Sequence, residues 1–170
     1  MISQQELLQI RLLSDYTLYP SAVAFMNELE KPLPANQANG LLNVSFADSY
    51  DQLEEYVRDQ QFRSTWPEGE KYIQQFYEDL EYKLEDIERD FLPVVTQSRP
   101  EELSEKDYEE IKMLLAREFL QHMLAENAYR EAKRNPGRPD QHRDRRAPNT
   151  QARPRDERQQ PFNTKGEQRR

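Results

Sequence analysis

The chain has no cysteine and only two histidines among its 170 residues. The first absence excludes a disulfide framework, a thiol nucleophile and Cys-ligated zinc or iron–sulfur centres. The second leaves too few imidazoles for a His-rich metal site. Long apolar runs are missing as well: nothing approaches the ~18 consecutive apolar residues that a bilayer span needs. The start, Met1-Ile2-Ser3-Gln4-Gln5-Glu6, has neither the positive charge nor the apolar stretch of a signal peptide. A soluble, cytoplasmic protein with no membrane association is the expectation. With 35% hydrophobic and 33% charged residues, part of the chain should stay outside any core.

Charge is abundant and unevenly spread. Residues 1–128 hold 11 Lys+Arg against 26 Asp+Glu, net −15, whereas residues 129–170 hold 13 against 6, net +7. From Asn135 onward the chain carries Pro136, Pro139, Pro148, Pro154 and Pro161, and its one large apolar residue is Phe162. Such a stretch cannot bury enough surface to offset the entropy of ordering it. The division is therefore an acidic body over 1–134 and a disordered, basic, Arg/Pro-rich tail over 135–170.

The body reads as all-α, a single bundle of five or six helices. Ser3 with Glu6, Ser49 with Gln52, and Ser104 with Asp107 each match a capping pattern at a helix start. The first opens a helix through Leu7, Leu8, Ile10, Leu12 and Leu13. Pro20 is expected to interrupt it, with Ser21 capping a second helix as far as Pro32. A shorter candidate over 35–44 is weakened by Gly40. Ile73, Phe76, Tyr77, Leu80, Leu84, Ile87 and Phe91 fall on one stripe of a 3.6-residue period, and Pro93 is expected to end that helix. Val94-Val95-Thr96 reads as a connector. Residues 111–125 are apolar around most of the circumference, which predicts the central helix of the bundle.

Enzyme chemistry needs a nucleophile with a base, a metal cluster or carboxylates held in a pocket, and no such pattern stands out. No catalytic residue, no metal and no cofactor is expected. The acid run Glu78 to Asp90 should be a solvated outer face. His122, four residues after Glu118, has the spacing of an acid/base pair, though a hydrogen-bonded core histidine is the simpler expectation. Trp66 beside Pro67 should anchor a helix start. The body's few arginines are the candidate nucleic-acid contacts: Arg58, Arg63 and Arg117 would make a basic groove if they converge, or each would pair with a neighbouring acid, Arg58 with Glu54 for example. In the tail, Arg143, Arg145 and Arg146 join them, since Arg suits bidentate phosphate recognition.

Two blocks carry a family resemblance. Gln37-Ala38-Asn39-Gly40-Leu41-Leu42-Asn43, followed by Leu53, Tyr56-Val57 and Gln60-Gln61-Phe62-Arg63, resembles the helical small subunits of type III CRISPR effector complexes, and Arg117-Glu118-Phe119-Leu120-Gln121-His122 fits a later core helix of such a subunit. The body departs from those subunits in being acidic. The resemblance implies a non-catalytic subunit of a ribonucleoprotein complex in antiviral defence, partnered by other subunits and touching RNA backbone with low sequence specificity. The alternative is a protein-only adaptor or scaffold with an acidic helical body and a basic docking tail.

Overall fold

The structure is a computed structural model that describes residues 2–63, 66–97 and 103–134, except the side chain of Glu68. The tail over 135–170, with Arg143, Arg145 and Arg146, lies outside the described residues, as do Ser64 and Thr65.

The capping signals hold with differing completeness. At Ser3 the exchange is reciprocal: the Glu6 N–H donates to Ser3 Oγ at 3.2 Å and the Ser3 N–H donates to the Glu6 carboxylate at 2.6 Å. Ser104 and Asp107 make the same exchange, at 3.2 Å in each direction. At Ser49 only the hydroxyl takes part, accepting from the Gln52 N–H at 3.4 Å.

From these starts come α1 (Gln4–Leu13), α2 (Tyr19–Glu28), α3 (Ala35–Val44), α4 (Tyr50–Gln61), α5 (Lys71–Thr96) and α6 (Glu105–Arg134). A π-helical segment, Ser14–Leu18, joins α1 to α2 without a break, so the described residues form five helical rods and contain no strand. α6 packs against α2, α3, α4, α5 and the π segment, as its nearly all-round apolar sequence predicts.

Both prolines act differently from the sequence expectation. Pro20 does not interrupt the first helix, and Ser21 caps nothing. The wider π turn precedes Pro20, and its closing bond runs from the Tyr19 N–H to the Ser14 carbonyl. That relieves the crowding the pyrrolidine ring would otherwise create in the preceding turn. Pro93 does not end α5 either. Val95 and Thr96 are buried one turn beyond it, and the Thr96 hydroxyl donates to the Leu92 carbonyl at 2.9 Å. Burial of that last turn outweighs the lost backbone bond, so Val94 to Thr96 are helix rather than connector.

The core follows the α5 stripe. Ile73, Phe76, Leu80, Leu84 and Ile87 are buried together with Ile111, Leu115, Phe119 and Met123 of α6. Phe25 of α2 sets its ring against both Phe76 and Phe119, with centroids 5.6 and 5.9 Å away. α1 is more exposed than its leucines suggest. Ile10 is buried, but Leu7, Leu8 and Leu12 are exposed, because α1 lies at the edge of the bundle against α5 and the π segment.

Gly40, a weakness in a helix by propensity, is explained by its neighbour. A Cβ there would stand 2.1 Å from the Tyr56 hydroxyl oxygen. Tyr56 in turn packs edge-on against buried Tyr77, whose hydroxyl donates to Gln37 at 2.9 Å.

Two outcomes follow for stability. Phe76→Ala and Phe119→Ala should each lower the unfolding free energy by about 3–5 kcal/mol in chemical denaturation. Gly40→Ala alone should destabilise despite a gain in helix propensity of about 1 kcal/mol. In a Tyr56→Phe background, where the colliding oxygen is gone, the same change should become neutral or stabilising. Additive effects across that double-mutant cycle would separate the two residues.

Candidate functional site

The three body arginines do not converge. Arg58, in the last turn of α4, crosses to α5 and pairs with Glu81 at 3.3 Å rather than with Glu54, at the edge of a depression lined by Asp51, Glu54, Glu55 and Asp59. Arg117 of α6 donates from Nε to the Ser45 carbonyl at 2.7 Å, closing the C-terminus of α3, and its guanidinium lies 5.5 Å from the Phe46 ring centre. Arg63, just past α4, makes no ion pair among the described residues. Its guanidinium stands 5.5 Å from the ring centre of Trp66. α4 separates the Arg117 end from the Arg63 end by roughly 20 Å at 1.5 Å per residue.

Arg63 belongs to an exposed end of the molecule. Phe62 beside it is 72% exposed, and Trp66 is half-buried with its indole N–H donating to the Gln60 carbonyl at 3.0 Å. That bond answers one of the carbonyls left open at the end of α4. The result is an aromatic and cationic edge: Phe62 open to solvent, Arg63 without a carboxylate, Trp66 fixed behind it. The rest of the Gln60-Gln61-Phe62-Arg63 block serves the helix end, and Leu53 and Val57 are core.

His122 and Glu118 are joined by a residue that the sequence spacing did not indicate. Ser14, in the π segment and 3% exposed, donates its hydroxyl to Glu118 Oε2 at 2.7 Å, and His122 Nε2 lies 2.8 Å from the Ser14 hydroxyl oxygen. With the serine proton committed to Glu118, His122 Nε2 must carry a proton and donate. The Tyr19 ring meets His122 edge-on at 5.3 Å. A serine activated for attack needs the opposite polarity, with imidazole accepting its proton. As arranged, this cluster pins the π segment to α6.

The opposite end of α4 is acidic. Between the α3–α4 connection and the first turns of α6 runs a groove of about 740 Å³. Met113 and Leu114 form its apolar floor, and Phe46, 60% exposed, stands at its rim. Its carboxylates are Asp48 and Asp51 on one wall and Glu105, Glu109 and Glu110 on the other. Behind the groove, Lys112 of α6 bridges Glu109 at 2.7 Å and Glu88 at 3.1 Å, with its ammonium 5.4 Å from the Tyr50 ring centre. Burial works against the Lys112 charge, but the hydrogen bonds to Glu109 and Glu88 outweigh it and raise its pKa. Two groups there have no partner: the buried Tyr50 hydroxyl and the second Glu109 oxygen, Oε2. Burial first, then the carboxylates of Glu54, Glu88, Glu109 and Glu85, pushes the Tyr50 phenol far above its ordinary value of 10.0. Burial likewise raises Glu54, against the lowering effect of Arg58. No group of three or more candidate ligands that could hold a metal ion occurs among the described residues. The acids of α5 do not all fall on a solvated outer face: Asp79, Glu85 and Asp90 are exposed and Arg89 bridges Asp86 and Asp90, each at 2.8 Å, whereas Glu81 and Glu88 are half-buried against Arg58 of α4 and Lys112 of α6.

Comparison with protein-family models, with curated proteins and with solved structures finds no match for the chain.

The alkaline limb of stability tests the electrostatics around Tyr50. Tyr50 and Lys112 both have folded-state pKa values above their ordinary 10.0 and 10.5. The stability they contribute is complete below those ordinary values and is lost as pH rises past them toward the folded values. Tyr50→Phe should therefore make the fall in unfolding free energy above pH 10 shallower. It should leave neutral-pH stability unchanged or higher, because it removes a buried hydroxyl that has no partner. An unchanged alkaline slope would mean that Tyr50 ionises as it does in solvent.

Proposed function

We propose that the chain is a non-catalytic helical subunit of a cytoplasmic ribonucleoprotein assembly, of the kind its type III CRISPR small-subunit resemblance implies, and that it meets nucleic-acid backbone through the exposed end of α4. The observation that carries this reading is the edge formed by Phe62, Arg63 and Trp66, where Arg63, which among the described residues has no hydrogen-bond or ion-pair partner, stands beside an exposed aromatic ring. A guanidinium can hold a phosphate while an exposed ring offers a stacking surface that tolerates any base. Arg58 and Arg117 leave the contact set, because Glu81 and the Ser45 carbonyl already engage them. The basic tail, with Arg143, Arg145 and Arg146, would supply sequence-independent attraction.

A protein-only adaptor is the second reading, and the acidic groove at the other end of α4 favours it. No catalytic residue, cofactor or metal enters either reading.

The two readings part in one experiment on the full chain. Phe62→Ala with Arg63→Glu should weaken association with RNA, measured by anisotropy across a salt series and by co-purification from the native host, and should leave the melting temperature nearly unchanged. Binding by the isolated chain should be weak and should fall steeply with salt, since residues 1–128, at net −15, repel phosphate. Arg58→Glu should change RNA binding little. If the double variant retains RNA in the native complex, or if partners stay bound after nuclease and no RNA is recovered without it, the adaptor reading replaces this one.

A further inference from the structure

The groove between the α3–α4 connection and the start of α6 uses surfaces that the nucleic-acid edge does not. We propose that it is a docking site for a segment of a partner protein in which arginines or lysines flank a bulky apolar side chain.

Charge complementarity identifies the occupant. Five carboxylates line the groove against two cations, Lys106 and Arg117, and Arg117 is already held by the Ser45 carbonyl and the Phe46 ring. Among the described residues Asp48, Asp51, Glu105 and Glu110 make no ion pair, so their charge is free for a ligand. Glu109 spends one oxygen on Lys112 and has the other buried, so it adds negative potential to the wall without offering an open acceptor. Carboxylates at this density exclude a phosphate backbone and favour guanidinium groups, which pair with them bidentately.

Charge alone does not define the segment. The floor is apolar, with Met113 buried and Leu114 half-buried, and Phe46 presents most of its ring to solvent at the rim. A polybasic chain with no apolar residue would leave that surface wet. A leucine or aromatic side chain seated between Phe46 and Leu114 would cover it, with cations on either side reaching the two acidic walls. An anchor in a pocket with charged neighbours is how short segments combine affinity with orientation. The geometry is helical on one wall: Glu105, Glu109 and Met113 follow each other at four-residue spacing, as do Lys106, Glu110 and Leu114, so each row runs from two charged positions to an apolar one.

The test uses the full chain and labelled synthetic peptides. One peptide has arginines flanking a central Leu-Phe pair, a second has the same arginines with Ser-Ser at the centre, and a third replaces the arginines by glutamates. The first should bind, the second at least about fivefold more weakly, and the third not detectably, with affinity falling as salt rises. Asp48→Asn with Glu110→Gln should weaken the first peptide about tenfold, and Phe46→Ala by a similar factor. Glu78→Gln with Asp79→Asn removes the same charge from the outer side of α5 and should change nothing, which separates the groove from general attraction to an acidic body. Of the five residues changed, Phe46, Asp48, Asp79 and Glu110 are exposed and Glu78 is half-buried, and circular dichroism checks that each variant keeps its helices.

Equal binding of the first two peptides, or equal loss with the α5 control, would overturn the proposal. So would a concentration-dependent dimer abolished by Phe46→Ala, which would assign the groove to a second copy, or single-stranded RNA competing for it. These outcomes leave the Phe62–Arg63 test untouched, so the groove and the nucleic-acid edge stand or fall separately.

Discussion

Everything else in this fold depends on what α6 has to satisfy. It is the one helix in contact with α2, α3, α4, α5 and the π segment, and it meets the open carbonyls and amides where neighbouring elements end. A buried helix end without partners costs about as much as a lost hydrogen bond for each exposed group. α6 answers them with side chains one after another. Arg117 takes the Ser45 carbonyl after α3. Asn127, buried, accepts from the Leu33 N–H at 2.7 Å and donates to the Leu33 carbonyl at 3.3 Å, holding the α2–α3 connection as a strand partner would. Arg130 donates to the Met26 and Leu29 carbonyls at the end of α2, the second at 2.7 Å. Glu118 and His122 hold Ser14 in the widened turn. Between them Ile111, Leu115, Phe119 and Met123 fill the core, so the helix alternates apolar burial with backbone capping along its length.

That double duty explains what could be read from sequence and what could not. Periodicity sees the apolar half. The α5 stripe and the α6 core positions are strong 3.6-residue signals, and the residues named for them are buried except Phe91, which is half-buried at the end of the stripe. Capping pairs are local, three residues apart, so Ser3 with Glu6 and Ser104 with Asp107 were legible. The polar half of α6 was not, because its partners lie about a hundred residues earlier in the chain. Arg130 counts as the first basic residue of the tail by composition, yet it is a helix cap. Proline rules failed at Pro20 and Pro93 for a related reason: they describe an isolated helix, and here a π turn in one case and a buried Val95 and Thr96 in the other change the balance.

The candidate site was legible to a similar depth. Sequence counting can say that arginine is scarce in the body, and scarcity invites a functional reading, but a helix bundle also needs cations where helix dipoles end and where acids gather. Arg117 and Arg58 meet those structural needs. Arg63 is left over, and the sequence could not have distinguished it, because it and its partner Trp66 both lie past the end of α4, where no helical period relates their side chains. The groove was still less visible. Its carboxylates come from the α3–α4 connection and from α6, more than fifty residues apart, and each alone looks like ordinary surface acid.

The proposed nucleic-acid contact on an acidic body is less contradictory than its net charge suggests, because the two proposed surfaces sit at opposite ends of α4. The distance from Ser49 to Phe62 is roughly 20 Å along the helix, more than two Debye lengths of about 8 Å at physiological ionic strength. Over that distance the groove carboxylates are largely screened from a phosphate at the Arg63 end, while a cation seated among them feels them at contact. Nearer acids matter more, and one of them, Glu81 of α5, is paired with Arg58 in the last turn of α4. For the proposed phosphate contact, Arg58 would therefore act without touching the ligand: by pairing with Glu81 it offsets one carboxylate near the C-terminal end of α4.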